Sequence, residues 1–282
     1  MVIVYGSYEW NRVVARLFEQ SGGPDAPKIL SGALRDIVAA DSCIIFRYYD
    51  QGRPEILHKK LDYAGRRNEL GDYLAGAYVL DPFYQHFLDS KKPGVFTLKQ
   101  IAPDHFRQSD YYWSYYKFSG LGDEVNIFVP LAPGAVIALA LGRRQGRRGF
   151  SRREVTLLHD LQPLLQVLCR RQWGDGGPRG GDEADNRRFI TGMENFGRSL
   201  LSDKESEVLH LLLKGHSAKS TAARMGISPG TVKIHRNNIY AKLDIGSQTE
   251  LFSLFIDALA HMRGDGAVDP LAAYQARPQK RS

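Results

Sequence analysis

The sequence predicts two folded parts of different class. Residues 1–173 read as an α+β domain, an antiparallel sheet flanked by helices, and residues 199–262 as an all-α domain of four helices. Strand-like apolar runs separated by turn residues fill the front half, and short, tightly punctuated helices fill the back. Between them, Gly174 to Asp185 is rich in glycine and offers no apolar anchor, so residues 174–198 read as a flexible linker, with Phe189 to Arg198 docking only loosely. Residues 263–282 read as a disordered tail.

In the front part, Trp10 to Glu19 and Ile29 to Ala39 carry apolar residues at helical spacing: Val13, Val14 and Leu17, then Leu30, Leu34, Ile37 and Val38. Ser42 to Tyr49 reads as a buried strand, Asp50 to Pro54 as a turn, and Glu55 to Lys60 as the hairpin partner. Helices are expected around Leu70 to Leu80 and from Pro82 to Asp89. A strand is expected from Gly94 to Leu98, and a helix over Tyr111 to Phe118. Glu124 to Pro130 and Ala135 to Gly142 form two more strands joined at Ala132 to Gly134, and Ser151 to Trp173 reads as one long helix. Helices before and after meandering strands give a sensor-like architecture.

The back part is written in capping signals. Ser202 and Glu205 have the spacing of a capping box, in which each side chain satisfies the other's orphan amide. Val208, Leu209 and Leu212 then share one helix face, and Gly215 stands where a helix C′ glycine would. Ser217 caps a second short helix, with Ala222, Ala223 and Met225 toward the core, and Gly226 closes it. Ser228-Pro229 starts a third helix running to Leu243, since Ser is a good N-cap and Pro suits the first helical position. Val232, Ile239 and Leu243 fall on its inner side; Gly230, Lys233, Ile234, Asn237 and Ala241 fall on the other. A fourth helix over Thr249 to His261 carries Leu251, Leu254, Phe255, Ala258 and Leu259 as an apolar stripe. A short helix, a Gly turn and a capped basic helix without acidic residues make a helix-turn-helix built to enter the major groove of double-stranded DNA.

Composition sets bounds. The 282 residues, 43% hydrophobic and 24% charged, suit two globular domains. A formal net charge of +7 favours an acidic partner, though charge alone supports only non-specific attraction. Cys43 and Cys169 lack metal spacing and read as small buried apolar residues. No apolar run approaches the roughly 20 residues of a membrane span. Met1-Val-Ile-Val-Tyr5 lacks the basic region of a signal peptide, so a cytoplasmic protein is expected. No paired carboxylates, nucleophile elbow, phosphate loop or metal-ligand pattern is present, which points away from an enzyme and from a cofactor or metal. The run Arg143 to Arg153 is strongly basic and reads as a solvated face or a supplementary phosphate patch.

The segment Leu200 to Leu259 resembles the LuxR-type (GerE-type) DNA-binding domain of bacterial transcription regulators. The resemblance rests on Glu205-x-Glu-Val-Leu209, Gly215, Ile227-Ser228, Thr231-Val-Lys-x-His235 and Ile239-x-x-Lys-Leu243. The chain departs from the family pattern at Ser220-Thr221, usually Glu-Ile, and at Gln248, usually Arg. The resemblance implies base reading by Lys233, Ile234 and Asn237, with Thr231, His235, Arg236 and Lys242 on phosphates. For Leu251, Leu254, Phe255 and Ala258 two readings stay open: packing onto the third helix, or joining two copies in a homodimer as the family implies. Nucleoid DNA, and RNA polymerase for an activator, are the further implied partners.

The front architecture is similar to GAF- and PAS-like domains and to autoinducer-binding domains. Tyr73-Leu-Ala-Gly-Ala-Tyr78-Val-Leu-Asp81-Pro82 resembles the Tyr…Tyr…Asp-Pro segment of the latter. By that resemblance Asp81 accepts a hydrogen bond from an unidentified small-molecule ligand, with Tyr73 beside it and Phe96 near where a Trp is expected. The family's preceding Trp is absent, replaced by Asn68-Glu69. Asp81-Pro82 equally reads as a helix N-cap followed by Pro. The aromatic run with Tyr111, Tyr112 and Trp113 suits either a pocket wall with a wet rim or an interface.

Overall fold

The computed structural model describes residues 6–49, 53–61, 69–74, 76–117, 120–131, 134–174, 180–262 and 266–276. Parts of the turns expected at Asp50 and Ala132, Phe118, and parts of the linker and tail lie outside these residues. The chain divides into two compact units that do not follow the sequence boundary. The first is Met1–Arg67, His86–Ile101 and Tyr116–Arg179; the second is Asn68–Gln85, Ala102–Tyr115 and Gly180–Ser282.

The front of the chain runs α1 (Tyr8–Glu19), α2 (Ala26–Ile37), β1 (Ser42–Tyr49), β2 (Glu55–Leu61), α3 (Glu69–Leu74), α4 (Pro82–Ser90), β3 (Gly94–Thr97), α5 (Leu98–Ile101), β4 (Leu121–Pro130), β5 (Ala135–Arg144), α6 (Arg152–Asp160) and α7 (Gln162–Trp173). A 3₁₀ turn covers Ala77–Leu80, and Tyr112–Lys117 wind as a π-helical turn where an α-helix was expected. The expected long helix is two, because Pro163 cannot donate to the helix ladder and its ring crowds the preceding turn.

The strands of the first unit form one antiparallel sheet of order β2-β1-β5-β4-β3. Alternation sends Ile45, Ile127 and Leu139 to one face, where they join Leu34 of α2 and Leu165 of α7 in a buried core. Each such residue contributes about 1.5–3 kcal/mol of burial. Phe46, Tyr48, Phe96 and Phe128 occupy the second face; Phe46 and Phe128 stand opposite Ala138 of β5, Tyr48 opposite Val136, and Phe96 opposite Asn126 of β4, while Phe87 of α4 rests its ring against Tyr48 and Phe128. Cys43 and Cys169 are free and buried, and burial pushes the Cys43 thiol up to about 11.

The basic run is not simply a solvated face. Arg143 is buried, donates to the carbonyls of Val38, Arg148 and Gly149, pairs with Glu154, and lies over the Phe150 ring. It ties the end of β5 to the capping box of α6.

The second unit contains α8 (Gly180–Asn195), α9 (Asp203–Leu213), α10 (Ala218–Met225), α11 (Pro229–Leu243), α12 (Gln248–Ala260) and α13 (Pro270–Gln275). Two of these correct the sequence reading. α8 stands where a flexible linker was expected, because Phe189, Met193 and Phe196 repeat at helical spacing and all three are buried. α13 stands in the expected disordered tail. Its cap Asp269 accepts from the Gly197 and Leu271 amides through Oδ1, and from the Ser199 amide and hydroxyl through Oδ2, at 2.6–2.9 Å.

Candidate functional site

The helix-turn-helix forms by the capping logic the sequence carries. The Ser202–Glu205 capping box starts α9, Ser217 caps α10, Gly226 closes it at φ +66°, and Ser228 Oγ accepts from the Thr231 amide at the head of α11. Val232, Ile239 and Leu243 are buried, so α11 turns a fixed face outward. That face holds Lys233, Ile234 and Asn237, all exposed, with Ile234 at 61%. An apolar side chain so exposed beside a donor and an amide has no role in the core. Thr231, His235 and Arg236 are half-buried. The inward side of α10 is corrected: Ala223 is exposed and Thr221 is buried beside Ala222.

Two expected roles meet partners inside the protein. Lys242, expected on phosphate, donates from Nζ to Glu205 Oε2 at 2.7 Å. The ammonium and the Ser202 capping bonds hold the Glu205 carboxyl far below the ordinary range, at about 2. Leu251, Phe255 and Ala258, for which internal packing and a dimer face both stood open, are fully buried, and of the four only Leu254 is partly exposed. α12 packs against α8 and α13, and the Phe255 ring meets Phe196 edge-on at 5.2 Å. The apolar stripe was legible, but what covers it came from segments read as linker and tail.

Asp81 works as a helix cap. Its Oδ1 accepts from the Phe83 amide at 2.8 Å, and its Oδ2 accepts from the Tyr73 hydroxyl at 2.8 Å. Burial raises its carboxyl to about 6, against the lowering effect of these bonds. Tyr111 is buried, Tyr112 is half-buried and Trp113 is 48% exposed. Tyr111 and Tyr112 pack on Phe106 at 6.1 and 5.7 Å. Phe96 belongs to the first unit, where its ring lies 4.3 Å from His86 and 5.2 Å from Phe128.

Sequence reasoning missed two groups. Asp104 accepts from the Ser217 amide at 3.0 Å and from the Ser217 hydroxyl, and Asp110 accepts from the Thr249 hydroxyl at 2.8 Å. Asn126 of β4 is fully buried, with its Nδ2 donating to Glu124 at 2.7 Å and its Oδ1 without a partner. No local motif marks either. Among the described residues no cluster of His, Cys, Asp or Glu could hold a metal, and no helix is long and apolar enough to cross a membrane.

Residues 199–255 match the family described as bacterial regulatory proteins, luxR family (GerE). An HTH-type transcriptional regulator from the exeN 3′ region of Aeromonas salmonicida is 34% identical over 186 residues, covering 64% of this chain and 94% of that one. The monoamine regulon transcriptional regulator of Klebsiella aerogenes is 25% identical, covering 78% and 86%. Among solved structures, the VqsR LBD domain from Pseudomonas aeruginosa superposes with a TM-score of 0.51 at 26% identity, covering 58% of this chain and 96% of that one.

Proposed function

The chain belongs to the luxR family of bacterial regulatory proteins, and on that premise we propose a sequence-specific regulator of transcription, controlled by a small molecule in its N-terminal domain. One observation carries the DNA-reading half: α11 presents Lys233, Ile234 and Asn237 outward and has no acidic residue along its length. Lys can donate to guanine, Asn can pair bidentately with adenine, and Ile can meet a thymine methyl. Thr231, His235 and Arg236 are proposed on phosphates. The protein acts as a homodimer, the arrangement that reads two half-sites, and engages RNA polymerase where it activates. The sheet domain's likeness to an LBD supports the ligand-controlled half. Asp81, Tyr73, Tyr111, Tyr112 and Trp113 within the second unit, and separately Phe96 within the first, are the proposed ligand neighbours.

A second reading is favoured by Asp81, whose oxygens already serve a helix cap and Tyr73. In it the N-terminal domain only dimerises or binds a protein, and DNA binding is constitutive.

The DNA half is tested with Asn237→Ala. Selected operator DNA should be bound about 1–3 kcal/mol more weakly, with relaxed specificity and little change on random duplex. Equal weakening on both would remove Asn237 from the readers. The two N-terminal readings separate by thermal unfolding with host metabolite extract: a stabilising molecule supports control, and its absence favours constitutive binding.

A further inference from the structure

Asn126 sits in the middle of the sheet's second face, opposite Ala140 on β5 and Phe96 on β3. Its amide orientation is chemically determined. Nδ2 lies 2.7 Å from Glu124 Oε1, and a carboxylate can only accept, so the donor end must face it. Glu124 is braced from the other side by the Tyr116 hydroxyl at 2.6 Å. Oδ1 is therefore turned away, buried and unpaired. A buried carbonyl without a donor forfeits its hydration for nothing, and native proteins rarely leave one unused. Its cross-strand neighbour Ala140 carries only a methyl group, and Phe96 and Phe128 flank it with aromatic surface.

We propose that this face binds a neutral, largely apolar small molecule and that Asn126 Oδ1 accepts a hydrogen bond from its N–H or O–H group. An anion is disfavoured beside the Glu124 carboxylate in so apolar a setting. This rests on the ligand-controlled reading above and names the ligand's chemistry and an anchor for it.

The test uses full-length protein and matched probes, indole against 1-methylindole and 4-butylphenol against 4-butylanisole, read by thermal unfolding and titration. The donor-bearing member of at least one pair should bind about tenfold tighter to wild type, and Asn126→Leu should bind both members equally. Equal binding of both members to wild type overturns the role of Asn126 and leaves ligand control standing. Binding of no probe overturns the inference, while stabilisation by host metabolite extract still decides ligand control separately. Discrimination that persists in Asn126→Leu also overturns it. If that variant does not fold, the Asn126 carboxamide resonances of wild type decide: they should move with indole or 4-butylphenol, and unmoved resonances overturn the assignment.

A separate observation concerns the second unit alone. Residues 102–115 put two carboxylates on the first turns of two helices of the DNA-binding bundle: Asp104 on Ser217 at the head of α10, and Asp110 on Thr249 at the head of α12. The His105 amide also donates to the Gly215 carbonyl at 3.1 Å. In a helix-turn-helix the helix before the recognition helix crosses the DNA backbone, and helix N-termini attract phosphate. We infer that this acidic segment stands in for phosphate and must leave before DNA binds, an autoinhibitory contact. Full-length Asp104→Asn/Asp110→Asn should bind a random duplex several-fold more tightly at fixed salt. In wild type, adding that duplex should speed hydrogen exchange at the His105 amide. Unchanged or weaker binding by a folded variant, or His105 exchange indifferent to DNA, overturns it.

Discussion

The carboxylates buried in the helical bundle and the amide buried on the second face of the sheet are treated differently, though the bundle too holds an unpartnered group in the Thr221 hydroxyl. In the bundle, Glu205 is 4% exposed and accepts from the Ser202 amide, the Ser202 hydroxyl and Lys242. Asp269 is 9% exposed and accepts four bonds. On the sheet face, Asn126 spends its donor on Glu124 and leaves its acceptor unpaired. A carboxylate saturated with donors is a structural tie, since removing it strands several groups at once. A half-satisfied amide fixes little of the fold and keeps capacity for something that arrives later.

The comparison breaks first if the bundle's carboxylates prove dispensable. Asp269→Ala leaves the Gly197, Ser199 and Leu271 donors without their acceptor, and should cost about 3 kcal/mol in urea unfolding. A loss below about 1 kcal/mol would mean that α13 is not part of the folded bundle.

Glu205→Ala removes a capping box and an ion pair whose lysine is 43% exposed. About 1–2 kcal/mol for the cap and up to about 1 for the pair give a loss of about 2 kcal/mol. Lys242→Met should lose about 1 kcal/mol of stability and leave the salt dependence of DNA binding unchanged. A flatter salt slope would return Lys242 to the phosphates.

Acid sharpens the contrast further. Glu205 is pulled from 4.5 to about 2, so its contribution is full above the ordinary value and fades as pH falls from 4.5 toward 2. Burial, Arg224 and Lys214 push His216 from 6.5 to about 4, against the opposing pull of Asp104. The unfolded chain then takes up its proton first, and stability falls as pH drops from 6.5 toward 4. Asp81 runs the other way. Burial raises it from 3.8 to about 6, so its contribution is full below 3.8 and is lost as pH rises through 6. Between pH 6.5 and 4 the His216 loss and the Asp81 gain oppose each other, so thermal midpoints should change little there and fall below pH 4.5 as Glu205 takes up its proton. His216→Gln should turn the upper window into a net rise on acidification, and a midpoint that stays flat there in this variant would remove His216 from the balance.

The sequence alone determined the elements whose causes lie within a few residues. The Ser202–Glu205 box, the Ser217 and Ser228 caps and the Gly226 turn are local, and so is the alternation that makes β1, β4 and β5. These place the outward face of α11, and with it Lys233, Ile234 and Asn237. Tertiary structure decided what each exposed-looking or apolar group would meet. Lys242 finds Glu205 37 positions away, and Asp269 reaches Gly197 across 72. The α12 stripe turns inward because α8 and α13 cover it, and Arg143 becomes a buried tie because Val38 and Glu154 converge on it. Capping acts through bonds spanning about three residues and alternation through the two-residue period of an extended chain, so the local order of residues displays both. A partner chosen by packing depends on where distant segments come to rest, and Asn126 shows its missing partner only once the sheet is assembled around it.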